Sequence, residues 1–176
     1  YVIYNYAQNI WYYGNISRTA WIDSGIRDFP LAATYNNNIV NHEDGIDDNE
    51  TGTNAGISSF ITSAQFDLDD GHKFAFIQKV YPDVTFDGST AESPTATLSL
   101  FAAQNSGSGR NSPASEGGTN TGSITRTATA PIEAFTSRLD LRVRGRQLAL
   151  KIESSESGVK WQLGSPRLEL RPDGRR

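Results

Sequence analysis

The sequence predicts an all-β protein: an antiparallel, jelly-roll-like β-sandwich preceded by a short group of other strands. Three observations predict this class. Apolar and polar residues alternate with a period of two, turn-forming pairs such as Asp-Gly separate the alternating runs, and no ten-residue segment carries an apolar stripe at helical spacing. With 176 residues, 36% of them hydrophobic, the chain can bury one core and support an appendage.

Composition narrows the classes of function. The sequence contains no cysteine, which excludes disulfides, thiolate nucleophiles and cysteine-based zinc sites. It has no apolar run of the length that a membrane-spanning helix needs, and no secretion signal at its start. Methionine is absent and the chain opens inside an aromatic run, so we interpret the sequence as a piece of a longer protein.

Residues 1–56 are predicted to form the first group of strands and a polar linker. In the strand-like run "IWYY", Trp11 and Tyr13 lie on one face, and Trp21 follows after a short polar stretch. A row of exposed rings would suit stacking on sugars, whereas rings interspersed with Ile10 and Ile16 are typical of packing against a sheet. We favour packing, with a binding patch as the alternative.

Residues 57–176 are predicted to form the sandwich, with a long flexible loop at about 102–123, where Gly, Ser and Asn dominate. The stretch "DLDDGHK" predicts a hairpin between Phe66 with Leu68 and Phe74 with Phe76. Trp161 is predicted to lie in the core because it shares strand phase with Leu163. In three further alternating runs, the apolar residues are predicted to face the core: Ala96, Leu98, Leu100 and Ala102; Leu139, Leu141 and Val143; Leu148, Leu150 and Ile152.

Arg142, Arg144 and Arg146 occupy alternate positions, as the polar face of a sheet requires. Residues 1–100 carry 13 acidic and 4 basic side chains, whereas residues 138–176 carry 5 acidic and 10 basic ones. We therefore expect the three arginines to meet carboxylates, such as those of Asp67, Asp69, Asp70 and Asp83, or to meet a neighbouring subunit. A solvated face and a transient, sequence-independent contact with DNA phosphate remain as alternatives, the latter disfavoured by the net charge of −4.

No group of residues predicts catalysis, and no cofactor is implied. The two histidines, His42 and His72, are interpreted as solvated turn residues. The acidic run around Asp47 resembles a calcium loop but has Ser58 where the distal acidic ligand would be, so a polar linker is the simpler interpretation. Asp83 and Asp87 could flank a glycosidic bond as a carboxylate pair, yet their Asp-Gly-Ser context favours a turn.

Four stretches resemble the C-terminal part of large virion proteins of tailed bacteriophages, in particular the nozzle, or tail tubular, proteins of short-tailed phages. They are "IWYYGNISRTAWIDSGIRDFPLAA" (10–33), "NHEDGIDD" (41–48), "DGHKFAFIQKVYPDVTF" (70–86) and most of residues 142–176. The resemblance implies a β-propeller joined to other β domains, with the stretch from Ile10 similar to a last propeller blade. It also implies a ring of identical subunits around the DNA exit channel.

From the resemblance we expect a non-catalytic structural component of the virion, in the phage tail, whose partners are other copies of itself and neighbouring tail proteins. The alternative, from the aromatic residues, is a carbohydrate-binding or receptor-binding module that uses Trp11, Tyr13 and Trp21.

Overall fold

A computed structural model of the chain describes residues 1–68, 71–103 and 124–174. Every strand pair in these residues is antiparallel and none of them lies in a helix, which confirms the predicted all-β, antiparallel class. Accordingly, this part of the chain has no helix that is long and apolar enough to span a membrane. The chain divides into two compact units, Tyr1–Gly45 with Asn49–Thr53, and Ile46–Asp48 with Asn54–Arg176.

The first unit holds two small sheets. Strands β1 (Val2–Asn5) and β2 (Ile10–Tyr13) form a hairpin, with Asn9 in the left-handed region at φ 56° in its turn. Strands β3 (Arg18–Ile22), β4 (Leu31–Thr34) and β5 (Ile39–Asn41) form a separate three-stranded sheet. Ala32 and Thr34 are buried, so the interior of this unit is small.

The described residues of the second unit form twelve strands in four sheets. Strands β14, β10 and β17 form one sheet in that order, and β13, β12, β15 and β8 form another, to which β9 adds through β15; β11 pairs with β16, and β6 with β7. Their bounds are β6 (Asp47–Asp48), β7 (Ala55–Gly56), β8 (Ser59–Thr62), β9 (Phe66–Asp67), β10 (Ala75–Tyr81), β11 (Val84–Thr85), β12 (Thr95–Ala103), β13 (Ile124–Glu133), β14 (Leu139–Gly145), β15 (Gln147–Ser154), β16 (Gln162–Leu163) and β17 (Arg167–Pro172).

One hydrophobic core draws side chains from both of the larger sheets. The predicted inward residues of β12, β14 and β15 are found there; Leu98, Leu100, Leu148 and Ile152 have no exposed area. Leu139 is only partly buried against this core. Because successive strand residues point to opposite faces, the period-two pattern was sufficient to assign these faces.

Strand β10 departs from the predicted pattern. The hydrophobic core takes Ala75 and Ile77, whereas Phe76 is half-buried, Phe74 is buried outside this core and Phe66 is 40% exposed. A β-bulge at Gln78 shifts the register against β17, from Ile77 opposite Leu170 to Lys79 opposite Glu169. The extra residue allows Ile77 and Val80 both to point into the core, which strict alternation would forbid.

Two predicted boundaries also differ from the structure. Strand β12 continues to Ala103, opposite Ile124 of β13, so the ends of the predicted loop at about 102–123 are bridged by strand pairing; its residues 104–123 lie outside the described part of the chain. The predicted boundary after residue 56 differs from the division between the units, which places Ile46–Asp48 and Asn54–Gly56 in the second unit.

Candidate functional site

The β1–β2 hairpin presents apolar side chains to solvent on both of its faces. Val2 pairs with Tyr13 and Tyr4 with Trp11, which places these four side chains on one face. The other face carries Ile3, opposite Tyr12, and Ile10. The exposed fractions are 67% for Val2, 60% for Tyr13, 44% for Tyr4, 65% for Trp11, 52% for Ile3, 48% for Tyr12 and 43% for Ile10. We call this element the apolar hairpin.

The aromatic residues, for which packing against a sheet was the preferred interpretation, are exposed in this chain. Trp11 stacks on Tyr4, with ring centroids 4.4 Å apart and planes 29° apart. Trp21, on β3, is 52% exposed and contacts the ring of His42 at 4.4 Å. The hairpin is a two-stranded sheet of its own. The alternation of residues along it therefore could not predict whether one of its faces is buried.

His42 is not the solvated turn residue that its sequence context predicted. It is half-buried, and its Nε2 accepts a hydrogen bond of 2.8 Å from Nε of Arg18, at the start of β3. Burial lowers the pKa of His42 below its ordinary value of 6.5, and Arg18 lowers it further against the opposing effect of Glu43 and Glu50. No local sequence motif predicted this contact, because Arg18 and His42 are 24 residues apart.

Arg18 also holds the segment Asn49–Thr53. One of its terminal nitrogens donates to Glu50 Oε2 at 3.1 Å, and both side chains are 17% exposed. In the turn between β4 and β5, Asn36 donates to the other carboxylate oxygen of Glu50 at 3.0 Å and Asn38 to its backbone oxygen at 3.3 Å. We call the three side chains Arg18, His42 and Glu50 the latch.

The three candidate arginines have three different environments. Arg142 is exposed on β14 and makes no ion pair within the described chain. Arg144 pairs with Asp173 and lies over the ring of Phe74, 3.9 Å from its centroid. Arg146 lies just beyond β14, with its guanidinium 4.7 Å from the same ring centroid. The row thus differs from the uniform solvated face considered above.

Phe74 organises this cluster, a role that the sequence did not indicate. Phe74 is 6% exposed, its backbone N–H donates to the backbone oxygen of Gly174 at 2.8 Å, and its backbone oxygen accepts from the N–H of Asp173 at 2.8 Å. The partner of Arg144 is therefore set by the position of the segment after β17. Two of the upstream acids expected as partners make other hydrogen bonds: Asp67 accepts from Gln147, and Asp83 accepts from Ser165. The other two, Asp69 and Asp70, lie outside the described residues.

Replacing Arg144 by glutamate is expected to lower the free energy of unfolding of the second unit by about 1–2 kcal/mol. The change removes the ion pair and the cation–π contact and puts a carboxylate beside Asp173. Urea unfolding followed by circular dichroism measures the effect. Arg142→Glu is the matched control, expected to change stability by no more than about 0.5 kcal/mol. Equal effects of the two changes, or lower duplex affinity without lower stability in Arg144→Glu, would contradict the cohesive role.

The acidic residues considered for calcium or catalysis hold turns instead. Asp47 accepts from the backbone N–H of Gly158 at 2.6 Å and from Ser157 Oγ at 2.9 Å. Asp83, at φ 50°, accepts from the backbone N–H of Ser165 at 2.6 Å. Asp87 lines an open pocket of about 280 Å³, and Asp83 is not among the residues that line it.

Within the described ranges, no group of three or more His, Asp and Glu side chains is placed to hold a metal ion. Among the described residues, two features are candidates for function: the exposed apolar hairpin and the hydrogen-bonded latch. Comparison of the chain with protein-family models and with curated proteins finds no match to either.

Proposed function

We propose that the chain is a non-catalytic structural module that associates with other copies of itself through the apolar hairpin. The proposal rests on one observation: large apolar side chains on both faces of the hairpin are exposed to solvent. Residues 1–17 contain no charged side chain that would make the exposure of this surface to water favourable. Contiguous apolar patches of more than a few hundred Å² are rare on monomeric proteins and mark interaction sites.

The size of the surface supports a second copy as the occupant. Each aromatic residue presents about 150–250 Å² when fully exposed, and the hairpin leaves about half of that area open at Tyr4, Trp11, Tyr12 and Tyr13. With Val2, Ile3 and Ile10, and with both faces of the hairpin counted together, the open area approaches the roughly 800 Å² that each partner contributes to a standard interface. Because the hairpin is uncharged, it can meet an identical surface without repulsion.

We further propose that the assembly is a ring in a phage tail, resembling a nozzle, with neighbouring tail proteins as further partners. The resemblance of residues 10–33, 41–48, 70–86 and 142–176 to tail proteins supports this step. An antiparallel sandwich for the second unit, which the resemblance also implies, is supported by the single core that both larger sheets share. The comparison of the first unit to a propeller blade rests on the resemblance alone.

The test is the oligomeric state. Native mass spectrometry and sedimentation velocity at neutral pH are expected to show a closed oligomer for the parent chain. The double change Trp11→Asp with Tyr12→Asp, which places one charge on each face of the hairpin, is expected to yield monomers with an unchanged circular dichroism spectrum. The double change Arg27→Asp with Asp28→Arg, on exposed residues outside the hairpin, is the control and should still assemble. A monomeric parent chain at about 100 μM, a concentration well above the Kd of stable interfaces, would contradict the proposal.

A second candidate function is carbohydrate or receptor binding through Trp11, Tyr13 and Trp21. Their exposed rings favour it, since stacking on sugars requires accessible aromatic faces. A glycan array separates the two candidates. Saturable binding that Trp11→Ala abolishes supports a binding module, whereas assembly without glycan binding supports the structural one.

A further inference from the structure

The latch joins three segments that are far apart in the sequence. Arg18 begins β3, His42 follows β5, and Glu50 lies in Asn49–Thr53, the short piece of chain that belongs to the first unit while the residues before and after it belong to the second. Arg18 contacts both other members, so its guanidinium is the centre of the group. The bond to His42 fixes the position of the guanidinium that pairs with Glu50, so we expect its loss to weaken that ion pair.

The contact between Arg18 and His42 requires a neutral imidazole. Arginine only donates hydrogen bonds, so Nε2 of His42 must accept, and the ring proton must sit on Nδ1. A protonated imidazole carries hydrogen on both nitrogens and has no acceptor left. Protonation would therefore replace a hydrogen bond of 2.8 Å with repulsion between the adjacent imidazolium of His42 and guanidinium of Arg18.

The charged neighbours of His42 do not compensate for this loss. Glu43 and Glu50 favour the imidazolium, and the face of Trp21 also attracts a cation. Burial and the adjacent Arg18 oppose the imidazolium and are the larger influences, so the pKa of His42 is lowered. The folded first unit thus binds a proton less readily than the unfolded chain does, and acid shifts the equilibrium toward states in which the latch is open.

We propose that Arg18, His42 and Glu50 form an acid-sensitive latch, which holds residues Asn49–Thr53 on the first unit when His42 is neutral and releases them when His42 is protonated. The sign follows from the direction of the shift: the latch is fully closed above about pH 6.5, the ordinary pKa of histidine, and opens as the pH falls below that value. The inference does not depend on the proposed assembly.

A spin label at position 51 tests the latch. Thr51 is exposed, and since the chain has no cysteine, Thr51→Cys provides a single attachment point for a nitroxide. The spectrum is expected to be immobilised at pH 8 and to lose its immobile component between about pH 6.5 and pH 5, where carboxylates stay ionised. Glu50→Ala in the same background should be mobile at both pH values, which calibrates the released state.

The histidine variants assign the transition. His42→Gln retains an acceptor for Arg18 and removes the titrating group, so its label should stay immobilised down to pH 5. His72→Gln changes the only other histidine of the sequence, which is exposed. The label in this variant should show the same pH transition as in the parent. That result assigns the transition to His42 even if His42→Gln folds poorly. An unchanged parent spectrum down to pH 5, a transition lost in His72→Gln, or a folded His42→Gln that titrates like the parent would overturn the proposal.

Discussion

Replacing Gly56 by alanine is expected to lower the free energy of unfolding of the second unit by about 3 kcal/mol, the upper range for overpacking. Gly56 ends β7, and a Cβ built on it would lie 2.6 Å from the carbonyl oxygen of Glu156 and closer still to that of Ser155. Both neighbours are backbone atoms, so no side chain can rotate away and the strand itself must move. Urea unfolding followed by circular dichroism measures the loss.

Gly25→Ala is the matched control. A Cβ on Gly25 has no atom within 4 Å, and Gly25 does not have a positive φ. Its stability is expected to change by no more than about 0.5 kcal/mol. Similar stabilities of the two variants would contradict the close approach of Gly56 to the Ser155–Glu156 backbone.

Trp161→Ala is expected to destabilise the second unit by about 3 kcal/mol, at the low end of the range for removing a large aromatic side chain. Trp161 is half-buried and packs against the core rather than within it, and its indole N–H donates to Ser59 Oγ at 2.9 Å. Because Ser59 Oγ also contacts the backbone oxygen of Ser154, the indole ties the segment before β16 to two strands.

Trp161→Phe separates packing from hydrogen bonding. It keeps most of the apolar contact and loses the bond to Ser59, so we expect a loss of about 1 kcal/mol. Trp11→Ala, on the apolar hairpin, should leave the second unit unchanged. If Trp161→Ala were as stable as the parent chain in urea unfolding, the contact of this residue with the core would be refuted.

Patterns of period two predicted the strands of the second unit well. The inward residues of β12 and β15 follow from alternation because backbone geometry fixes the side-chain period. Strand β10 could not be predicted in the same way, since the bulge at Gln78 changes the phase inside the strand. Hydrophobicity alone could not show that Ala75 and Ile77, rather than Phe74 and Phe76, join the hydrophobic core.

The candidate sites were predictable only where the residue type itself restricts the role. The sequence singled out Arg144 and predicted carboxylate partners, but it did not point to Asp173, because the position of Asp173 depends on the pairing of β10 with β17. His42 was assigned to solvent because its immediate neighbours are turn-forming. Its partner Arg18 reaches it through the folding of β3, β4 and β5 into one sheet.

By itself, the sequence determined the all-β class, the inward faces of β12, β14 and β15, and the absence of cysteine chemistry, because these depend on residue type and on the local period of the backbone. The tertiary structure decided the order of the strands, the bulge in β10, the exposure of the apolar hairpin and the formation of the latch. Each of these depends on which distant segments meet, and contacts between residues 24 or more positions apart leave no periodic signal in the chain.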